Sequence, residues 1–339
     1  MPLNPQLPPI RIAKILELSR VDALIVDKAG LARLSPEVLA HAPQRILAPG
    51  LATSGRLGQA HVSGADAIPS DTRFVPMPRS EDDMAYLMFT SGTTGVPKGV
   101  MVTNGNVMAV LAALQTRYPM GSEDRVSQSF ELSFDLSVAD IFWTWGTGAS
   151  LHVVPGTEVM APDNFIRERS LTVWASTPST IAMLNRMRRL KVGIFPSLRY
   201  SWFCGEALPL ARALAWRQAA PGSIVDNLYG PTEATVVCTG YRFSVPAVVT
   251  PERQILSIGS PFPGTDAKIV TPPLGSSRQE PSVSLPYRAV SSPQAISMTQ
   301  LKLQRGSRSL VVADGISRAI SPIRMPPACF ITLVAQTIR

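Results

Sequence analysis

Apolar residues along the first part of the chain alternate between helical spacing and short continuous runs. Residues 9–19 carry isoleucine and leucine at helical spacing, and the apolar runs 23–26 and 45–48 predict two short strands. Strands that alternate with helices are typical of a parallel sheet. Residues 51–80 are rich in Gly, Pro and Ser, which predicts a surface connection.

The alternation continues through the middle of the chain. Further apolar runs predict strands at 86–89, 124–130, 151–154, 171–174, 198–204 and 223–228. Helical spacing and capping residues predict helices at 107–115, 162–170, 177–187 and 210–219. The fold class that this pattern predicts is α/β, with mostly parallel sheets flanked by helices.

The segment 134–145 predicts one more helix. Asp135 or Ser137 is suited to cap it. Its apolar face is formed, at helical spacing, by Val138, Ile141, Phe142 and Trp145. Because carboxylates are seldom deeply buried unless they are paired, capping is the simplest structural role for Asp135.

Length and composition bound the class of protein. The 339 residues suffice for one large domain or two ordinary ones, and 45% of them are hydrophobic, as in a globular protein. No apolar run approaches the roughly 20 residues that a membrane helix needs. Residues 1–9 lack the basic start and apolar core of a signal peptide. We therefore expect a cytoplasmic protein with no membrane partner.

The distribution of charge argues against a nucleic-acid partner. The chain carries 32 Lys and Arg against 24 Asp and Glu, a formal charge of +8. Residues 271–339 hold eight of these bases and two of the acids, so the first 270 residues carry 24 bases against 22 acids. A nucleic-acid interface needs clustered positive charge, which this nearly neutral body lacks. The three cysteines and three histidines are scattered, without metal-ligand spacing.

A loop rich in glycine and hydroxyl residues follows the strand predicted at 86–89. Residues 90–99 are Thr-Ser-Gly-Thr-Thr-Gly-Val-Pro-Lys-Gly. Glycines let backbone N–H groups approach phosphate oxygens, hydroxyls donate further hydrogen bonds and lysine supplies positive charge, so the loop predicts a polyphosphate site. Its spacing differs from GxxxxGK[ST], because a proline precedes Lys98 and a glycine follows it. The alternative is an ordinary surface loop.

Three more motifs follow the ends of predicted strands, where open α/β sheets bind ligands. They are Phe-Asp-Leu-Ser at 134–137, Gly-Glu-Ala-Leu at 205–208 and Tyr-Gly-Pro-Thr-Glu at 229–233, with a weaker one at 257–264. Together with the loop at 90–99 and in this order, they resemble the adenylate-forming superfamily from about residue 2 to residue 270. They are most similar to the motifs of peptide-synthetase adenylation domains and of D-alanine– or L-proline–carrier-protein ligases.

The resemblance implies an activity and its participants. Such enzymes use Mg·ATP to activate an amino acid as its aminoacyl-AMP and pass the aminoacyl group to the phosphopantetheine thiol of a carrier protein. The implied participants are therefore ATP, Mg²⁺, an amino acid and a peptidyl or acyl carrier protein. The implied fold is part of the large N-terminal AMP-binding domain of an adenylate-forming enzyme.

The resemblance also implies a nucleotide site. The ATP phosphates would be held by Thr90, Ser91, Gly92, Thr93, Thr94, Gly95 and Lys98. The nucleotide slot would be lined by Gly205, Glu206, Ala207, Asn227, Tyr229 and Gly230, with the Tyr229 ring stacked on the adenine. Thr232 would contact the α-phosphate, and Glu233 would ligate Mg²⁺, which prefers carboxylate oxygen. The residues assigned to catalysis are Thr90, Lys98, Thr232 and Glu233. The alternative for 229–233 is a Gly-Pro turn with a solvated glutamate.

Under this resemblance, Asp135 decides the class of substrate. In amino-acid-activating relatives an aspartate here pairs with the α-ammonium group, whereas fatty-acid activators have no use for it. The side-chain pocket would be lined by Leu136, Ala139, Ala175, Trp202, Cys204, Leu228, Val236 and Val237. None of these is charged and Trp202 is large, so we expect a small apolar amino acid such as alanine or proline.

The resemblance ends near residue 270. We interpret residues 1–270 as a partial AMP-binding, or adenylation, domain. Relatives continue with the rest of that domain and with a small C-terminal domain that bears a catalytic lysine, and nothing after residue 270 resembles either. Residues 271–339 contain eleven serines and eight prolines, and we interpret them as a non-homologous tail that is either disordered or translated in a shifted frame.

Three interpretations of function follow from the sequence and stay open at this point. The first is an incomplete, catalytically inactive copy of an amino-acid-activating enzyme. The second is a non-catalytic nucleotide-binding remnant or pseudogene product. The third is an acyl-CoA or aryl-acid ligase.

Overall fold

The chain folds as two compact units. A computed structural model of the protein describes residues 1–68, 77–90, 97–269 and 329–333. The first unit comprises Met1–Val107 with Phe130–Ala139, and the second comprises Met108–Ser129 with Asp140–Arg339.

The first unit begins with short helices and strands in alternation. Its helices are α1 (Pro9–Ser19), α2 (Lys28–Leu31) and α3 (Pro36–Leu39). Its strands are β1 (Ala23–Ile25), β2 (Arg45–Leu47), β3 (Gly55–Leu57), β4 (Ala60–Ser63), β5 (Met84–Thr90) and β6 (Lys98–Thr103). The alternation of helix and strand predicted before residue 50 is confirmed.

Strands β1 to β4 form one sheet in the order β1-β2-β4-β3. The first three are parallel and β3 is antiparallel to β4. Leu24, Ile46 and Val62 are register partners on the face that packs into a small apolar core. The prediction that 51–80 is only a surface connection is wrong for β3 and β4. Polar residues, Arg56 in β3 and His61 in β4, interrupt these two strands, so neither forms a continuous apolar run.

A hairpin of β5 and β6 completes the first unit. Tyr86 and Met88 of β5 and Val102 of β6 pack in one buried cluster with Val138. The helix that follows, α4 (Asn104–Arg117), begins after a capping box, in which the Asn106 amide donates to Thr103 Oγ1 at 3.3 Å. The helix predicted at 107–115 is therefore confirmed, and it begins three residues earlier than predicted.

The segment 134–145 is less regular than the predicted helix. It forms α5 (Leu136–Val138), one π-helical turn (Ala139–Trp143) and α6 (Thr144–Gly146). A π turn holds an extra residue, so it rotates the following side chains away from the 3.6-residue pattern. Trp143 is buried as a result, whereas Phe142 and Trp145 are 51% and 61% exposed. Their predicted place on the apolar face is therefore wrong.

The second unit is built on a seven-stranded sheet. Its strands are β7 (Arg125–Gln128), β8 (Ser150–Val153), β9 (Val173–Ser176), β10 (Tyr200–Phe203), β11 (Ile224–Tyr229), β12 (Thr239–Arg242) and β13 (Ser260–Pro261). Their order is β13-β12-β11-β10-β9-β7-β8. Strands β7 to β11 are parallel, which confirms the predicted class, and β12 and β13 are antiparallel.

Three helices connect the parallel strands: α7 (Asp163–Glu168), α8 (Pro178–Arg186) and α9 (Leu210–Ala219). Trp216 of α9 packs against Trp174 and Phe203 in the main core of the unit. Within the described ranges, no helix combines the length and apolar character needed to cross a bilayer.

One further strand pair involves the C-terminal segment. β14 (Thr265–Ile269) pairs in parallel with β15 (Cys329–Leu333). Residues 270–328 and 334–339 lie outside the described residues. The interpretation of 271–339 as a tail therefore stays a prediction.

Candidate functional site

The residues assigned to the phosphates lie at the end of the β5–β6 hairpin. Thr90 is the last residue of β5 and Lys98 the first of β6, and they are direct register partners. Lys98 is exposed, so its ammonium group is available to a ligand. The other predicted loop residues, Ser91, Gly92, Thr93, Thr94 and Gly95, lie outside the described residues.

Asp135 is buried in the first unit, at 7% exposure. It precedes α5, but its side chain makes no capping hydrogen bond there. The hydroxyl of Ser137 instead donates to the Phe134 carbonyl at 2.7 Å. The capping role considered for Asp135 is therefore wrong. The two neighbouring pocket candidates, Leu136 and Ala139, are also buried.

Tyr86 of β5 belongs to the surroundings of Asp135. Burial and then the charge of Asp135 raise the pKa of the Tyr86 phenol. Tyr86 is 8% exposed and its hydroxyl has no hydrogen-bond partner within the described part of the chain. Sequence patterns did not single out Tyr86, because it looks like an ordinary apolar strand residue.

In the second unit, the predicted pocket residues share one face of the sheet. Trp202 on β10 is the register partner of Ala175 on β9, and Leu228 follows on the same face of β11. The Trp202 ring lies 6.0 Å from the ring of Trp143. Cys204 comes directly after β10 and is also buried. These side chains are uncharged, and the one charged residue among their register partners, Asp226 of β11, is paired with Arg117 and Arg242.

Gly240 of β12 closes one side of that face. A Cβ on Gly240 would lie 2.9 Å from Leu228 Cδ2 and 3.3 Å from Arg117 Cζ. The absence of a side chain at Gly240 therefore leaves room for both the Leu228 and the Arg117 side chains beside β12.

The segment after β11 makes a tight reversal. A 3₁₀ turn at Thr232–Ala234 is followed by Thr235 and Val236, both with positive φ (60° and 65°). This conformation is uncommon outside glycine and costly for a β-branched residue. The chain returns at Cys238, whose amide donates to the Tyr229 carbonyl at 2.8 Å. Thr232 and Glu233 lie at the crest of the reversal, where Glu233 is exposed.

Tyr229 and Cys238 lie together beneath this reversal. Burial, followed by Cys238, Cys204 and Glu233, raises the pKa of Tyr229. Burial also raises the pKa of Cys238 to about 11. Both groups therefore stay protonated and neutral at physiological pH, which leaves the half-buried Tyr229 ring as an uncharged aromatic surface.

Two side chains predicted to line the nucleotide slot also make hydrogen bonds within the protein. The Glu206 carboxylate accepts hydrogen bonds from the amide (3.0 Å) and the hydroxyl of Ser179 in the first turn of α8. The Asn227 side-chain amide donates to the Ser257 carbonyl at 2.9 Å. Glu206 thus caps a helix and Asn227 anchors the weak motif at 257–264. Gly205 and Ala207 remain exposed beside Glu206.

The second unit also contains a buried charged cluster around Asp226 of β11, which the sequence patterns did not predict. Asp226 is fully buried and accepts hydrogen bonds from Arg117 Nε at 3.0 Å, Tyr118 Oη at 2.5 Å and Arg242 Nε at 3.4 Å. Burial and Asp226 together raise the pKa of Tyr118. The sequence does contain one indication of this cluster, an aspartate within an apolar strand. Charged residues are rarely buried without partners, so such an aspartate indicates a buried ion pair.

The residue predicted to bind Mg²⁺, Glu233, lies in the described part of the chain. Among the described residues, no group of three or more His, Cys, Asp or Glu side chains could hold a metal ion. The exposed, lone Glu233 fits Mg²⁺, which commonly takes one or two protein carboxylates and completes its shell with water and substrate phosphates.

The chain is similar to known proteins in both sequence and structure. The profile of the family described as "AMP-binding enzyme" matches residues 1–281. The chain is 31% identical over 258 residues to the L-proline–[L-prolyl-carrier protein] ligase of Pseudomonas fluorescens, covering 75% of this chain and 49% of that protein. It is 31% identical over 274 residues to the D-alanine–D-alanyl carrier protein ligase of Bacillus velezensis, covering 80% and 50% respectively.

A solved structure agrees with these relatives. The Vibrio cholerae adenylation domain AlmE, in complex with glycyl-adenosine-5′-phosphate, superposes with a TM-score of 0.65 at 33% identity. The match covers 77% of this chain and 50% of that one. The chain therefore spans about half the length of the relatives it matches.

Proposed function

The chain belongs to the AMP-binding enzyme family, and from this membership we propose that it carries the amino-acid-activating site of that family. The reaction is ATP-dependent formation of the aminoacyl-AMP of a small apolar amino acid, followed by transfer to a carrier-protein thiol. ATP is consumed, so the cytoplasm is the expected compartment.

The buried carboxylate of Asp135 carries this proposal. Asp135 is 7% exposed and makes no capping hydrogen bond to α5. A buried carboxylate attracts a positively charged group strongly, because little water screens its charge. The α-ammonium group of an amino acid is a counter-charge of suitable size, and a fatty or aryl acid brings none.

The uncharged face formed by Ala175, Trp202 and Leu228 supports the small apolar side chain. The charged groups beside this face, Asp226 and Arg117, are already paired with each other, so a charged substrate side chain would find no unpaired counter-charge in either of them. The bulk of Trp202, packed on Trp143, limits the volume for the substrate. Alanine and proline, which the relatives' names also mention, fit these limits.

The motifs at 90–99 and 229–233 would each contribute side chains to nucleotide binding. Lys98 would neutralise phosphate charge beside Thr90, and the Tyr229 ring would stack on the adenine. Thr232 would donate to the α-phosphate. Glu233 would bind Mg²⁺, which, when present, offsets charge on the phosphates. Glu206 and Asn227 would act by holding the loops of the slot in place.

The alternatives differ in what they predict for ligand binding. An acyl-CoA or aryl-acid ligase would bind acyl adenylates that have no ammonium group. A nucleotide-binding remnant would bind ATP without discriminating among acyl groups. The 339-residue polypeptide spans about half the length of its relatives, so binding of a stable adenylate analogue tests the site better than turnover does.

The deciding experiment is calorimetric titration of residues 1–339 with sulfamoyl-adenosine analogues that carry alanyl, prolyl or salicyl groups. We expect the aminoacyl analogues to bind in preference. Asp135→Asn should remove this preference, because losing one partner of a buried charge pair costs roughly 3–5 kcal/mol. Preference for the salicyl analogue would instead support an acid ligase, and equal binding of all three would support the remnant.

A further inference from the structure

The Tyr86 hydroxyl is a buried polar group without a hydrogen bond. Its residue is 8% exposed, and the hydroxyl has no partner within the described part of the chain. Buried tyrosine hydroxyls usually have a partner, because leaving one unsatisfied is costly. A phenylalanine would pack in the same apolar cluster without that cost. The Tyr86 hydroxyl is therefore a candidate hydrogen-bonding group for a ligand.

The position of Tyr86 indicates which ligand. Tyr86 packs against Val138 in the cluster that joins the β5–β6 hairpin to α5. The Val138 amide in turn donates to the Asp135 carbonyl at 2.9 Å. Tyr86 and Asp135 thus belong to one packed wall of the first unit, and the charge of Asp135 contributes to the raised pKa of the Tyr86 phenol.

A protonated amine suits both groups. A phenol that stays protonated still has oxygen lone pairs that accept an N–H hydrogen bond, and a carboxylate supplies the counter-charge. An ammonium group has several N–H donors, so it can donate to the Asp135 carboxylate and to the Tyr86 oxygen at the same time. A carboxylic acid without an amine offers no such donor.

We propose that Tyr86 is a second binding residue for the substrate's ammonium group, its oxygen accepting an N–H hydrogen bond beside Asp135. This rests on the proposed amino-acid-activating function. It adds that a side chain of the strand before the phosphate loop takes part in amine recognition.

The test uses two probes that differ only in the amine: alanyl-sulfamoyl-adenosine and its propionyl counterpart. Both are titrated by calorimetry into residues 1–339 and into the Tyr86→Phe and Asp135→Asn variants. For Tyr86→Phe we expect about tenfold weaker binding of the alanyl probe, as for a lost hydrogen bond to a charged group, and unchanged binding of the propionyl probe. The thermal midpoint without ligand should not fall.

Tyr118→Phe is the matched control. Its buried hydroxyl does have a partner, Asp226 at 2.5 Å. This variant should lower the thermal midpoint and leave the preference for the alanyl probe unchanged. A structural role of Tyr86 would make Tyr86→Phe behave in the same way.

The outcomes separate this inference from the proposed function. If Asp135→Asn removes the preference for the alanyl probe and Tyr86→Phe does not reduce it, the role of Tyr86 is overturned and the proposed function stands. An equal loss for both probes in Tyr86→Phe also overturns it. If the unmodified chain shows no preference for the alanyl probe, the proposed function fails, and the role of Tyr86 fails with it.

Discussion

Gly230 lies against the backbone of Val237, so closely that a Cβ on Gly230 would come within 2.5 Å of the Val237 Cα. The same Cβ would lie 2.6 Å from the Val236 carbonyl oxygen. Only a glycine allows the chain to leave β11 and return within a few residues. The reversal that presents Thr232 and Glu233 depends on this contact.

Gly230→Ala should therefore destabilise the protein and disturb the reversal. Overpacking of this kind typically costs about 1–3 kcal/mol. Urea unfolding followed by fluorescence would measure the loss. Gly146→Ala is the control, because a Cβ there meets no atom within 4 Å. Equal stability of the two variants would contradict the close contact.

Asp226→Asn should be among the most destabilising single changes. The substitution removes the buried negative charge that pairs with Arg117. Breaking such a pair lowers the free energy of unfolding by about 3–5 kcal/mol. The exposed Asp22→Asn serves as the control in the same urea titration. If Arg117→Gln in the Asp226→Asn background recovers no stability, the pair is not coupled as described.

Lys98→Ala should weaken ATP binding by about tenfold, as expected for the loss of a charged hydrogen bond to phosphate. Because Lys98 is exposed, the thermal midpoint should change little. Calorimetry with Mg·ATP would measure the affinity, with the exposed Lys191→Ala as the control. Unchanged affinity in a folded Lys98→Ala variant would remove Lys98 from the site.

Tyr229 should act through its ring rather than its hydroxyl. Stacking of a base on an aromatic side chain is worth about 1–3 kcal/mol, so Tyr229→Ala should lose that much ATP affinity while Tyr229→Phe retains it. Fluorescence titration with a labelled ATP would compare the two. If the Tyr229→Phe variant binds ATP as weakly as the Tyr229→Ala variant, the hydroxyl and not the ring makes the contact.

His152 should make stability depend on pH near neutrality. Burial, then Arg125 and Arg169, lowers its pKa below the unfolded value of about 6.5. The unfolded chain therefore takes up the proton first, so stability is full above about pH 6.5 and falls as the pH drops toward the folded pKa.

Urea midpoints measured from pH 5 to pH 8 would show this slope. His152→Gln should flatten it, whereas His61→Gln, an exposed residue on β4, should leave it as it is. A slope that persists in His152→Gln would assign the effect to other groups.

Strands β9, β10 and β11 could be predicted from the sequence because each contains a largely apolar run. The sequence predicts their bounds to within two residues. Strands β3 and β4 are not predicted, because polar residues interrupt them and turn residues surround them. The π turn at Ala139–Trp143 could not be predicted from the spacing of apolar residues, because it depends on the burial of Trp143 in the folded protein.

The positions of the candidate site followed from motif order, but the roles of its side chains did not. Glu206 and Ser179 are 27 residues apart and Arg117 and Asp226 are 109 apart. Pairings at such separations are set by tertiary packing, which local periodicity does not contain. The same holds for Tyr86 and Val138, which share a buried cluster only once the hairpin packs on α5.

The close approach of Leu228 to Gly240 ties two positions on neighbouring strands to each other during evolution. A side chain at position 240 would meet Leu228 Cδ2 at 2.9 Å and Arg117 Cζ at 3.3 Å, so a larger residue at 240 requires a smaller one at 228. We therefore expect positions 228 and 240 to covary among related sequences. Position 228 also belongs to the proposed substrate pocket, so a paired exchange would change the volume of that pocket as well.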